Sequence, residues 1–355
     1  MFALLLIFIA LGALVEILSL RRDPDKIDLS CSLSASFTEP DTPFEVTSVI
    51  TNRSRLPISY MLLTENFPMH TQIPEGLEAT ERNQLIYVKN VCRIGGRQRK
   101  KRSVEITIAK RGVHLFLGGT MDFGDFLGIK EISKEVSFCK EIVVYPKKLE
   151  DSHLTDALGN FCGDIAARRF LIRDPILTVG YREYTGREPM RDIHWMQSAR
   201  KNELMVREFD YNRQLSATVV LSVEGIASFD AELLDACCST ARTVCETLTN
   251  LGVLVNFHTN ARIFARDRTG IWSCEASPGK LGVLLEGLGR ASSYLACPVG
   301  KLLGHIARAN TSDNAYVIIL PEATPAAEAA AAELRRNTGQ EVMLVPVTTK
   351  EEMPA

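Results

Sequence analysis

The residue types most able to do chemistry crowd into one stretch, Gly180-Tyr-Arg-Glu-Tyr-Thr-Gly-Arg-Glu-Pro-Met-Arg-Asp-Ile-His-Trp-Met-Gln-Ser-Ala-Arg200. Arginine forms bidentate pairs with carboxylates, and Arg182, Arg191 and Arg200 have Glu183, Glu188, Asp192 and Glu203 close by in sequence. Trp195 and Tyr184 can bury a ring while keeping one polar tip bonded. The mixture fits neither a plain amphipathic helix nor a plain strand, and reads as a polar network on a loop and a short helix. Two chemistries remain open: an ion-pair and aromatic clasp that fixes the segment to the next domain, or a catalytic site. Arg191 and Trp195 are four apart, which puts them on one face of a helical segment. Glu188 is then the nearest carboxylate for Arg191. Trp195 is expected to bury its ring against the following domain, so that Trp195→Ala would cost about 3–5 kcal/mol. Arg187→Ala is expected to change little.

Other signatures of catalysis are missing. The chain has no G-x-S-x-G, no HExxH and no Walker A sequence. His114 sits in an apolar run, His194 lies inside the clasp where it could switch charge, and His70, His153, His258 and His305 stand apart. The nine cysteines (31, 92, 139, 162, 237, 238, 245, 274 and 297) form no CxxC and no ligand cluster, so neither a zinc site nor a disulfide framework is expected. The competing enzyme reading is a hydrolase with a site formed between domains, for instance from Cys162, His194 and Glu188. The net charge of −2 carries no nucleic-acid signal. No cofactor and no small-molecule substrate is expected. The run Arg97-Gln-Arg-Lys-Lys-Arg102 reads as a solvated strand end or as a contact for anionic lipid headgroups.

The elements that would position this stretch fall into four parts. Residues 1–20 are apolar except for Glu16 and Ser19, span ~30 Å as a helix, and are followed by Arg21 and Arg22. Residues 1–22 therefore read as a transmembrane anchor, and the positive-inside rule puts the rest in the cytoplasm, as a single-pass inner-membrane protein. A cleaved signal peptide would want a basic start, which is missing. Residues 27–147 show short alternating runs, such as Phe44–Ile50 and Val104–Ile108, separated by turn residues, and read as a β-sandwich. Residues 148–213 read as a linker that carries the clasp. From 214 to 355 strands and helices alternate, which implies an α/β domain with a parallel sheet and a ligand edge at the strands' carboxyl ends.

The clasp also resembles a family pattern, G-x-R-x-Y-x-x-G-D-x-x-R-x-I-x-W followed by A-R and L-x-V-R-E. Gly180, Arg182, Tyr184, Arg191, Ile193 and Trp195 stand in register, as do Ala199-Arg200, Leu204, Val206, Arg207 and Glu208. Arg187 and Glu188 replace the Gly-Asp step, and the glycine sits one place early at Gly186. Upstream, Lys110-Arg-Gly-Val113 and Asp125-Phe-Leu-Gly128 are similar to two turns of the same family. The pattern belongs to the bacterial family called domain of unknown function fifty-eight. That resemblance implies a von Willebrand factor A-like (Rossmann-like) last domain and a MoxR-type AAA+ ATPase as partner. It also implies a non-enzymatic role as adaptor or client in envelope-related assembly. The family's fold would place D-x-S-x-S after the first strand of the last domain to hold a divalent cation. Here Ser222, Glu224 and Ile226 take those positions, and the later strand ends at Leu320-Pro-Glu322, so a degenerate site without metal is expected.

Overall fold

A two-residue period governs the first half of the chain. The structure is a computed structural model that describes residues 23–124, 131–171, 178–186, 188–209, 215–264, 271–309 and 315–347. The chain divides into two compact units, Met1–Lys147 with Leu285–Ala291, and Lys148–Leu284 with Ser292–Ala355.

In the first unit, β1 (Ile27–Leu33), β3 (Phe44–Asn52), β8 (Arg99–Ile108) and β5 (Thr71–Gln72) form one antiparallel sheet in that order. A second runs β11 (Glu131–Val136), β10 (Gly119–Gly124), β4 (Ile58–Pro68), β7 (Leu85–Ile94) and β6 (Glu78–Arg82). A third joins β2 (Phe37–Thr38), β12 (Lys140–Val144) and β9 (Gly112–Phe116). Alternate side chains turn inward. Met61, Leu63 and Phe67 of β4 and Val104, Ile106 and Ile108 of β8 are all buried. Two apolar cores result, one around Phe44, Phe67 and Phe116, the other around Met61, Met121 and Phe123.

The same parity carries two charges inward. Glu65 follows Leu63 on the inner face of β4, and Arg102 precedes Val104 on that of β8. Their side chains are 4% and 16% exposed, and Arg102 Nη1 lies 2.8 Å from Glu65 Oε2. Ser48 of β3 donates its hydroxyl to the other carboxylate oxygen. A carboxylate from one sheet is thus held by a hydroxyl and a guanidinium from another. The end of the run Arg97–Arg102 is therefore an internal partner, while Arg99, Lys100 and Lys101 are exposed. Leu285–Ala291 closes the same unit: Arg290 pairs with Glu141 at 2.6 Å, and Arg111 Nη1 donates to the carbonyls of Leu288 and Ala291. A Cβ at Gly289 would meet Val143 Cγ1 at 2.6 Å, so only glycine fits there.

The second unit holds α1 (Ser152–Leu171) and the antiparallel ribbon of β13 (Thr178–Glu183) and β14 (Met205–Phe209). Its main sheet runs β18 (Trp272–Ala276), β16 (Leu254–Thr259), β15 (Ser216–Leu221), β20 (Ala315–Leu320) and β21 (Glu341–Pro346). The last four are mutually parallel and β18 is antiparallel. The helices are α2 (Trp195–Lys201), α3 (Ala231–Asn250), α4 (Leu281–Arg290, shared between the units), α5 (Val299–Ala309) and α6 (Pro325–Thr338). A side ribbon joins β17 (Ala261–Ile263) to β19 (Ala291–Leu295). Asp230 caps α3 by accepting from the Leu233 amide, and Thr324 caps α6. Val299, Leu302, Leu303 and Ile306 of α5 pack with Ala327, Ala331 and Leu334 of α6 against Tyr316, Ile318 and Leu320.

Two expectations are corrected. The fold class, a transmembrane helix leading to a β-sandwich and a von Willebrand A-like α/β domain, gives way to a chain dominated by sheet, with strand making up 43% of the structure. The physical reason is visible after β16. The chain turns back through β17 and the antiparallel β18, and α4 leads into β19 of a side ribbon, so the strand–helix alternation does not build one wholly parallel sheet. The second correction concerns the membrane. No helix among the described residues is long and apolar enough to cross one, so the single-pass inner-membrane location is not supported. The two twenty-residue helices fail because they carry Asp156, Asp164 and Arg168, or Glu232, Asp235 and Arg242. The expected anchor, residues 1–22, lies outside the described residues, as do Arg187 and the turn Asp125–Gly128.

Candidate functional site

The clasp residues gather on the β13–β14 ribbon and on the chain wrapped around it. Tyr181 faces Arg207, Arg182 faces Val206, and Gly180 faces Glu208 beside an irregularity in the register. The ribbon extends through Tyr184, whose amide donates to the Leu204 carbonyl at 2.8 Å. A 3-10 turn over Met190–Asp192 brings Ile193 beside Val206 as an isolated bridge. His194 then starts α2: its Nδ1 accepts the Gln197 amide at 3.1 Å, and its ring lies 4.6 Å from that of Tyr181. Ser198 ties the helix down, accepting the Met205 amide at 2.8 Å and donating to the His194 carbonyl. Asn202, with φ of 58°, ends the helix in the left-handed region. Ile193, Ser198, Met205 and Val206 are the buried interior of this small assembly.

Its central ion pair joins Arg182 Nη2 to Glu188 Oε1 at 2.7 Å. Glu188 also accepts the Thr185 hydroxyl at 2.8 Å and the Thr185 amide at 3.1 Å. Gly186, with φ of +86°, makes the turn between them, which gives the early glycine its physical reason. The Thr185 hydrogen bond, then the Arg182 guanidinium, hold the Glu188 carboxyl down to about 2 from the ordinary 4.5. A carboxyl lowered in the fold stabilises above its ordinary pKa, and that contribution is lost as pH falls toward the lowered value. The clasp is therefore expected to loosen only below the usual carboxylate range. An NMR titration of the Glu188 carboxyl should give a midpoint near 2, and Thr185→Val should raise it. A midpoint at the ordinary value in the parent protein would rule out this bonding in solution.

The remaining motif residues sit differently from expectation. Arg191 does not reach Glu188, which Arg182 already holds; its side chain is 85% exposed, with Asp192 at 3.9 Å. It also shares no helix with Trp195, because α2 begins at Trp195. Trp195 itself is 62% exposed, so the expected burial of its ring is corrected. Arg200 and Arg207 are exposed, and Glu208 is placed by its backbone in β14. The three residues of the hydrolase reading have separate surroundings. Cys162 lines a small apolar pocket with Ile165, Leu248 and Val253, and burial raises its thiol pKa. His194 and Glu188 are spent on the cap and the ion pair.

The carboxyl ends of the parallel strands form a second candidate, and it is closed by its own bonds. Ser222 and Asn260 are fully buried there. Asn260 Oδ1 accepts the Val223 amide at 2.9 Å, and its Nδ2 donates to Ser222 Oγ and to the Cys297 carbonyl, both at 3.1 Å. Glu224, in the position of a metal-binding serine, accepts the Val299 amide at 2.5 Å and so occupies the positive end of α5. Glu322 is exposed. Among the described residues no group of three or more His, Cys, Asp or Glu is placed to hold a metal.

No family model matches this chain. No curated protein matches it either. Among solved structures it is similar to a cohesin module from a Clostridium perfringens family 33 glycoside hydrolase, at 12% identity and a TM-score of 0.26, over 33% of this chain and 96% of the module. A non-cellulosomal cohesin from Archaeoglobus fulgidus gives 13%, 0.24, 36% and 96%. A CARDB domain from Pyrococcus furiosus gives 11%, 0.22, 34% and 90%. At these scores none of them bears on function.

Sequence reasoning missed Glu65–Arg102 and Asn260. Parity along β4 and β8 was a usable signal for the first pair. No sequence signal marked Asn260, whose partners lie 37 and 38 positions away.

Proposed function

We propose that the chain is a non-enzymatic protein-binding module that docks a partner on the outer side of the clasp. The observation that carries this reading is the exposure of Trp195, at 62%, on the first turn of α2. Met196 beside it is 66% exposed, Met190 68% and Leu204 46%. Trp, Met and Arg are the residue types that concentrate binding energy at protein interfaces. Arg191, Arg200 and Lys201 are exposed in the same segment, and the two in the last turn of α2 make no ion pair with another described residue. A partner with an apolar ridge flanked by carboxylates would complement such a surface. By the resemblance of the clasp pattern, a MoxR-type AAA+ ATPase is the partner to test first.

Trp195→Ala is expected to leave thermal stability almost unchanged, within about 0.5 kcal/mol, as for other exposed positions. The same substitution should weaken binding to a purified MoxR-type ATPase tenfold or more in calorimetric titration. Sharp destabilisation would make the ring a structural element instead. Undiminished binding would remove the clasp as the docking surface.

A further inference from the structure

An open cleft of about 620 Å³ runs along α5, wholly within the second unit. Its volume falls in the range of small-molecule sites, roughly 300–1,000 Å³. The helix reads Val299-Gly-Lys-Leu-Leu-Gly-His-Ile-Ala-Arg-Ala309. Val299, Leu302, Leu303 and Ile306 are buried in the core. Lys301, His305 and Arg308 line the cleft instead, over a floor made by Gly300 and Gly304 and beside Ile271.

The charge pattern is one-sided. Lys301, His305 and Arg308 recur at helical spacing on one face, over a rise of ~10 Å. Among the described residues no acidic side chain lines the cleft, and none of the three makes an ion pair with another described residue. Arg308 spends its Nε on the Gly304 carbonyl, at 2.9 Å. Lys301 and Arg308 lie seven residues, about two helical turns, apart, with the His305 ring between them. Glu224 already occupies the helix N-terminus, which leaves the side chains as the source of positive potential.

The glycines make the independent observation. Glycine is the poorest helix former after proline. A Cβ on Gly300 or Gly304 would meet nothing within 4 Å, and neither residue has a positive φ. Neither crowding nor backbone conformation calls for glycine at these positions. The missing side chains leave open space beside Lys301, His305 and Arg308.

We propose that this cleft binds a phosphorylated small organic molecule with at least two anionic groups, held by Lys301, His305 and Arg308 over the Gly300–Gly304 floor. Its apolar part rests on Ile271. The described lining of the cleft includes no residue of the clasp. The test titrates the full chain with ADP, inorganic pyrophosphate and sulfate at matched ionic strength. ADP is expected to bind at least tenfold more tightly than sulfate and more tightly than pyrophosphate. Backbone amide shifts should centre on residues 297–308, and ADP should slow alkylation of Cys297, which lines the cleft. Lys301→Ser and Arg308→Ser, both at exposed positions, should each lower ADP affinity at least fivefold with unchanged unfolding temperature. Gly304→Leu should abolish binding; if that variant does not fold, the two cation variants decide. ADP that binds no better than sulfate or pyrophosphate, shifts centred elsewhere, or undiminished affinity in the cation variants would overturn the proposal.

Discussion

Arg102→Ala is expected to destabilise the protein by about 3–5 kcal/mol near neutral pH, the cost of stranding a buried charge. Glu65 would lose its ion-pair partner while its side chain stays 4% exposed, with only the Ser48 hydroxyl left to hold it. Burial already pushes the Glu65 carboxyl up, against the pull of Ser48 and Arg102, and removing Arg102 raises it further. A carboxyl raised in the fold contributes stability below its unfolded pKa, and that contribution is lost as pH rises through the folded value. The penalty of Arg102→Ala should therefore shrink on acidification and grow toward neutrality. Urea unfolding across that pH range checks both size and sign. Replacing the pair together, by Arg102→Met with Glu65→Leu, should be close to neutral or stabilising, since no lone charge remains. A single-variant cost under about 1 kcal/mol at neutral pH, or a penalty that grows in acid, would show that the pair is solvated in solution.

Asn260→Ala carries the second large effect. The amide is fully buried and joins the ends of β15 and β16 to the start of α5 through Val223, Ser222 and the Cys297 carbonyl. Alanine leaves the buried Val223 amide and the part-buried Cys297 carbonyl short of partners, at about 1–3 kcal/mol for a fully buried group. The expected loss is on the order of 3–5 kcal/mol in urea unfolding, with faster hydrogen exchange at Val223. Asn260→Asp tests direction. It keeps the acceptor for Val223 but turns a second oxygen toward the Cys297 carbonyl, so it should also destabilise. Variants as stable as the parent would mean that water or a shifted loop replaces the amide at this edge.

How much could be read in advance depended on the range of the interaction. The strands at Phe44–Asn52, Leu85–Ile94 and Ala315–Leu320 follow from local alternation or from β-branched runs. The helix over Pro325–Thr338 follows from an alanine-rich run between a Thr324 cap and Gly339. In the clasp, the Arg182–Glu188 pair lay within reach of sequence reasoning because its partners are six residues apart and Gly186 supplies the turn. The Arg191–Glu188 pair and the buried Trp195 did not hold. Helical spacing over 188–195 presumed one continuous helix, whereas the chain makes a 3-10 turn and starts α2 only at Trp195.

By itself the sequence determined where strands and helices form, which faces are apolar, and that an unusual polar segment lies between residues 180 and 208. Those properties are set by neighbours a few residues away, through backbone preference and side-chain period. Strand parity puts Glu65 and Arg102 on inner faces, and tertiary structure alone decided that the two meet. The basic run at 97–102 looks uniform as a string, yet Arg102 shares the inner face of its strand with Val104 and is paired there by Glu65, thirty-seven positions earlier, from another sheet. It also decided that Glu224 meets the amide end of a helix and that Trp195 faces solvent. Pairing depends on what the rest of the chain brings to a point in space, and no local pattern encodes that.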